Sequence, residues 1–122
     1  MMGGRLHEET LDRFRRYGSR ILDVVDTLER DHRPRRVIDQ LCGSGTSAGA
    51  NAHEAHEGLS KLDFVKCLGI TAKELSETRY WLLLIADKKW LPPQRLEPLL
   101  QETVELLSIV KTIIARVRRP RP

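Results

Sequence analysis

Four short strings in this sequence hold residue types that could do chemistry. Gly45-Thr46-Ser47-Ala48-Gly49 matches the G-x-S-x-G pattern of a hydrolase elbow, which needs its serine on a strained turn between a strand and a helix. No strand-like run precedes it, and the chain is too short for an α/β-hydrolase sheet, so the same glycines read better as Gly-x-x-x-Gly, a helix surface that another backbone approaches closely. Gly43-Ser44-Gly45 with Gly49 has the flavour of a phosphate-binding loop, but its spacing is G-x-G-x-x-x-G and no P-loop lysine follows. His53-Glu54-Ala55-His56-Glu57 places two histidines three apart rather than the four of the zincin motif. A solvated, charged helix end is the plainer reading, and no metal ligand is assigned. Glu74, Glu77 and Asp87 would suit a di-metal carboxylate bundle only if facing helices supplied Glu-x-x-His pairs. They do not, and Glu74 and Glu77 are expected to pair with Lys73, Arg79 or a neighbouring helix. Cys42 and Cys67 lack the spacing of a zinc knuckle or a redox pair and are expected to be two buried small hydrophobes. These strings supply no catalytic residue, metal site or cofactor, and the chain is expected not to be an enzyme.

Charge is the remaining chemical signal. Of the 21 basic residues five lie within 111–122, which leaves 16 against 17 acids in the rest, so the formal +4 belongs to the end of the chain. Arg116, Arg118, Arg119 and Arg121 are the candidate phosphate ligands there, with Arg33, Arg35 and Arg36 as helpers.

The elements that must position these groups are helices. Leu11, Phe14, Ile21, Val25 and Leu28 recur at helical steps, with Gly18 in the gap. After Pro34, a first-turn proline, Val37, Ile38, Leu41, Ser44, Ala48, Ala52 and Ala55 continue a stripe of shrinking side chains. Gly43, Gly45 and Gly49 each cost about 1 kcal/mol against alanine there, a cost that close approach of a neighbour would offset. Gly58 caps that helix, and Ser60-Lys61-Leu62-Asp63 is a capping box opening the next. Phe64, Cys67, Leu68, Thr71, Leu75, Thr78, Leu82 and Ile85 line its buried face, while Tyr80, Trp81, Leu83 and Leu84 make its second half apolar nearly all round.

Beyond Pro92 and Pro93 a fourth helix carries one seam at Leu96, Leu100, Thr103, Leu107, Val110, Ile114 and Val117, and a second at Leu99, Leu106 and Ile113. Periodicity leaves two readings of that second seam open, a subunit interface or a wide core face. Tyr80, Trp81, Leu84, Leu99, Leu106 and Ile113 are the interface candidates. The expected architecture is all-α, a single antiparallel up-down four-helix bundle over 1–122 with helices at about 8–30, 34–57, 61–88 and 94–118 and a basic tail at 118–122. The first residues form no signal peptide, and the longest apolar run, Tyr80 to Ala86, is too short to span a bilayer, which together predict a cytoplasmic protein without a membrane partner.

The run Ser60-Lys61-Leu62-Asp63-Phe64-Val65-Lys66, with Ala72-Lys73-Glu74 and Glu77-Thr78-Arg79-Tyr80-Trp81-Leu82, resembles the family of small four-helix-bundle proteins linked to intervening sequences in large-subunit ribosomal RNA. Ser44 to Asn51, Glu54-Ala55 and Leu96-Glu97-Pro98-Leu99-Leu100 extend the resemblance over nearly the whole chain. It implies an up-down bundle assembled as a homopentamer, with a second helix that runs unbroken through its glycines. Bundles of similar fold act as accessory proteins to reverse transcriptases in diversity-generating retroelements, where they bind nucleic acid and the polymerase; this chain looks closer to the ribosomal branch. It departs from the pattern where Cys42-Gly43 replaces a larger apolar residue and an arginine, and where His53 replaces an aliphatic, which removes a basic contact from the second helix.

Two functions follow as expectations. One is a non-enzymatic oligomeric scaffold that binds RNA or DNA through clustered basic ends. The other is a protein-interaction module, docking a reverse transcriptase or another protein, in which the arginines serve solubility and the last helix dipole.

Overall fold

The computed structural model describes residues 6–119 of the 122. They form four helices, α1 (Glu8–Arg30), α2 (Arg35–Glu57), α3 (Lys61–Lys88) and α4 (Pro93–Arg118), and no strand occurs among the described residues. Short connections reverse the chain each time, so the helices run up and down in an all-α four-helix bundle. α2 packs on α1 and α3, and α3 packs on α4, while α1 and α4 make the sparsest contact of the neighbouring pairs. No described helix is long and apolar enough to cross a membrane.

α2 runs unbroken through its glycines because two of them are needed where they stand. A Cβ on Gly45 would lie 2.6 Å from Cγ2 of Ile21, and one on Gly49 would lie 3.3 Å from the Phe14 carbonyl oxygen, so α1 sits against bare backbone there. Gly43 faces solvent with no neighbour within 4 Å of an added Cβ, and packing gives no account of it. At the start of α3, Ser60 Oγ accepts the Asp63 amide at 3.1 Å, the serine half of the expected capping box.

The core of α4 differs from the expected seam. Leu96, Leu99, Thr103, Leu106 and Val110 are buried, a three-four repeat that merges parts of both predicted seams. Leu99 and Leu106, expected at a subunit interface, are 2% and 0% exposed inside this single chain and are unavailable to a partner. Ile113 is half-buried and packs against the same core. The outward row is Leu100, Leu107 and Ile114, expected inside but only half-buried, with Val104 exposed between them. Cys42 and Cys67, expected buried, are half-buried free thiols.

A band of hydroxyls crosses the core. Tyr17 shares a 2.7 Å hydrogen bond with Thr103, whose hydroxyl also donates to the Leu99 carbonyl at 2.8 Å. Thr78 Oγ1 lies 2.9 Å from Ser44 Oγ and 2.8 Å from the Glu74 carbonyl, and Thr71 donates to the Ala48 carbonyl at 3.0 Å. Each of these buried polar groups has a partner, which is the condition for carrying them in a core.

Candidate nucleic-acid interface

The arginines singled out from sequence fall at opposite ends of the bundle. Arg116 and Arg118 occupy the last turn of α4 and Arg119 caps it, all three exposed and without an ion pair among the described residues. Arg121 lies outside the described residues. Arg33 sits in the α1–α2 connection and Arg35 and Arg36 open α2 at the other end, about 35 Å away along a 23-residue helix. One continuous patch made of both groups therefore does not exist within a single chain.

The end holding Arg33 is built from two connections of the same design. α1 closes with His32 at φ 55°, and Arg33 donates its amide to the Leu28 carbonyl at 3.0 Å. α3 closes with Lys89 at φ 58°, and Trp90 donates to the Ile85 carbonyl at 3.2 Å. Both are Schellman-type turns, in which one left-handed residue lets the next amide reach back five residues. The residues that reach back are the ones that meet: the Arg33 guanidinium lies over the Trp90 ring, 5.1 Å from its centroid. Arg95 ties α4 to α1 through the Thr27 hydroxyl at 3.0 Å.

These turns collect charge. Arg30, Arg33, Arg35 and Arg36 lie in or beside the first connection and Lys88, Lys89 and Arg95 in or beside the second, and within 30–36 and 88–95 Asp31 is the sole acid. All but Arg33 are exposed. Arg35 is occupied, donating to Glu29 at 3.0 Å and Asp39 at 3.3 Å, contacts that hold its guanidinium protonated still more firmly. Sequence reasoning found Arg33, Arg35 and Arg36 but missed Arg30, Lys88, Lys89 and Arg95. The string Lys88-Lys89-Trp90 was its only signal, and nothing local says that it lands beside Arg33.

A second surface lies between α3 and α4. Leu83, Leu100 and Val104, with Arg79, Glu97 and Gln101, line a shallow groove of about 270 Å³. It meets at Glu97 and Leu100 an apolar hollow of about 570 Å³ floored by Ala86, Leu91, Pro92, Pro93 and Leu96. Tyr80 is 55% exposed, stacked edge-on against Trp81 at 5.1 Å. Trp81 and Leu84 are half-buried, and the Trp81 indole donates to Glu77 at 3.1 Å.

The family described as 23S rRNA-intervening sequence protein matches residues 9–112. The chain belongs to this family. It is also similar to the crystal structure of a protein with unknown function from the S23 ribosomal protein family of Bacteroides thetaiotaomicron VPI-5482, at 30% identity and a TM-score of 0.82, over 86% of this chain and 97% of that one. No curated protein matches the sequence.

For this member of the 23S rRNA-intervening sequence protein family, the extent of the match separates the two basic ends. The paired connections lie inside 9–112, whereas Arg116, Arg118, Arg119 and Arg121 lie beyond it. The enzyme-like strings have structural occupations. Ser47 is inside α2, where Asn51 donates to its carbonyl at 2.9 Å and to its hydroxyl at 3.2 Å. His56 Nδ1 accepts the Leu6 amide at 3.1 Å and so ties down the start of the described chain, while His53 is exposed. Glu74 is raised above the usual carboxylate range by burial and then by the charge of Glu77, and neither forms the expected ion pair among the described residues. No group of three or more His, Cys, Asp or Glu with a metal-holding arrangement occurs among the described residues.

Proposed function

We propose that this chain is a non-enzymatic scaffold that self-associates, as a pentamer, and binds RNA through the basic ends of its bundle in the cytoplasm. The observation that carries the reading is the exposure of Arg116, Arg118 and Arg119 at the end of α4, with no ion pair among the described residues. Phosphates release counterions from such side chains, so several copies on one rim bind with an affinity that falls steeply with salt. Family membership supports RNA as the nucleic acid. Anisotropy of a labelled RNA stem-loop, measured across a salt series for the wild type and for a chain lacking 116–122, tests it. The wild type should bind with a negative log–log slope that the shortened chain reduces. Equal curves would remove the tail from the reading, and no binding by the wild type would end it.

A second reading has its own observation. The groove between α3 and α4, with Leu83 and Val104 exposed, suits a protein partner such as a reverse transcriptase, with the arginines left to solubility. Affinity capture that recovers one stoichiometric protein and no nucleic acid would favour it.

A further inference from the structure

Helix dipoles give an independent measure of what the end holding Arg33 and Trp90 is built for. Acids near helix N-termini stabilise the fold and cations there destabilise it. The chain follows this rule at the other end, where α1 opens with Glu8 and Glu9 and α3 with Asp63. It breaks the rule here. α2 and α4 have no acid in the first turn, open on Pro34 and Pro92 with no side-chain cap, and carry Arg35, Arg36 and Arg95 beside their N-termini. Uncapped N–H groups, two positive dipole ends and exposed guanidinium groups thus face out of one surface. The C-termini of α1 and α3 add Arg30, Lys88 and Lys89 to it. Of the three cations beside the helix N-termini, Arg35 is held by Glu29 and Asp39 and Arg95 donates to Thr27, whereas Arg36 opposes the dipole with no ion pair among the described residues, a placement that an external polyanion explains.

We propose that this paired-turn end is an RNA phosphate-backbone site, separate from the C-terminal arginines. The proposal rests on the RNA-binding reading above. Arg30, Arg36, Lys88, Lys89 and Arg95 supply the charge, and the Arg33–Trp90 stack fixes the two turns side by side so that their cations bear on one stretch of backbone. Unlike the tail, it lies inside residues 9–112, the span that the family matches. Arg35, already held by Glu29 and Asp39, orients the start of α2 rather than contacting phosphate.

The test uses the full chain, a labelled RNA stem-loop, and salt from about 50 to about 200 mM. Arg36→Gln/Lys88→Gln/Lys89→Gln removes three exposed cations with no ion pair among the described residues; its log–log slope should become shallower by about 2 to 3, with more than about tenfold weaker binding at low salt. Asp31→Lys, which replaces the sole acid of the two turns, guards against a folding artefact, since it should steepen the slope by about 1. Wild-type binding that neither variant changes overturns this site while leaving RNA binding by the protein intact. Absence of any wild-type binding overturns both.

Discussion

Tyr17 places its ring in the core at 1% exposure and its hydroxyl on Thr103. Burial pushes the phenol up to about 12, an effect that the hydrogen bonds to Thr103 and Thr78 partly oppose. An unfolded tyrosine ionises near about 10, so its folded value is the higher one. The stability it contributes is therefore complete below about pH 10 and is lost as pH climbs toward about 12, a loss of about 2 to 3 kcal/mol. Urea denaturation at rising pH should show this decline in the wild type and a flatter profile in Tyr17→Phe, which costs about 1 kcal/mol at neutral pH because Thr103 keeps its bond to Leu99. Parallel profiles would assign the alkaline loss to other groups. Little of this could be read in the sequence. Thr71, Thr78 and Thr103 fall on the predicted helical stripes, but the pairing of Tyr17 with Thr103 links positions 86 apart and is set by packing alone. His56 was visible only as half of a near-miss metal motif, and its partner, the Leu6 amide, comes from a segment with no pattern of its own.

The helices were legible because their apolar periods are long and their punctuation is strong: Pro34, Gly58, Ser60 and Pro92-Pro93 mark the boundaries within a residue or two. Which stripe of α4 faces inward was not. Its sequence offers apolar residues at 99 and 100 and again at 106 and 107, and only contact with α1 and α3 selects Leu99 and Leu106 over Leu100 and Leu107. The glycines of α2 divide in the same way. Gly45→Ala drives a methyl into the fully buried Ile21 and should cost about 1 to 3 kcal/mol despite alanine's better helix propensity. Gly43→Ala meets nothing and should gain about 1 kcal/mol. Thermal melts of the two single variants check this, and shifts of the same sign would refute the close approach of α1 to α2 at Gly45.

At the scale of the molecule, the ion pairs between α1 and α4 show how a bundle closes where neighbouring helices pack most sparsely. Arg13 reaches across with hydrogen bonds of 3.0 and 2.6 Å to Glu102 and 3.1 Å to Glu105, so long charged side chains span the gap. The opposite problem arises on α3 and α4, where apolar groups remain uncovered. Self-association through this groove predicts that Leu83→Asp/Val104→Asp, at positions 36% and 44% exposed, leaves helicity intact and yields monomers in light scattering. An unchanged mass would move the interface elsewhere. The apolar girth of α3 was legible from Tyr80 to Leu84, and the excess on α4 was assigned to the wrong row for the reason given above.

The two left-handed residues that close α1 and α3 also record a trade. Positive φ favours glycine, yet the chain puts His32 and Lys89 there, side chains that strain the backbone where a hydrogen atom would not. His32→Gly/Lys89→Gly should raise the melting temperature by a few degrees, about 1 kcal/mol or less per site. If Lys89 touches RNA, the same variant binds it more weakly, and a more heat-resistant protein that holds less RNA would identify these turns as places where the sequence has favoured charge over ease of folding.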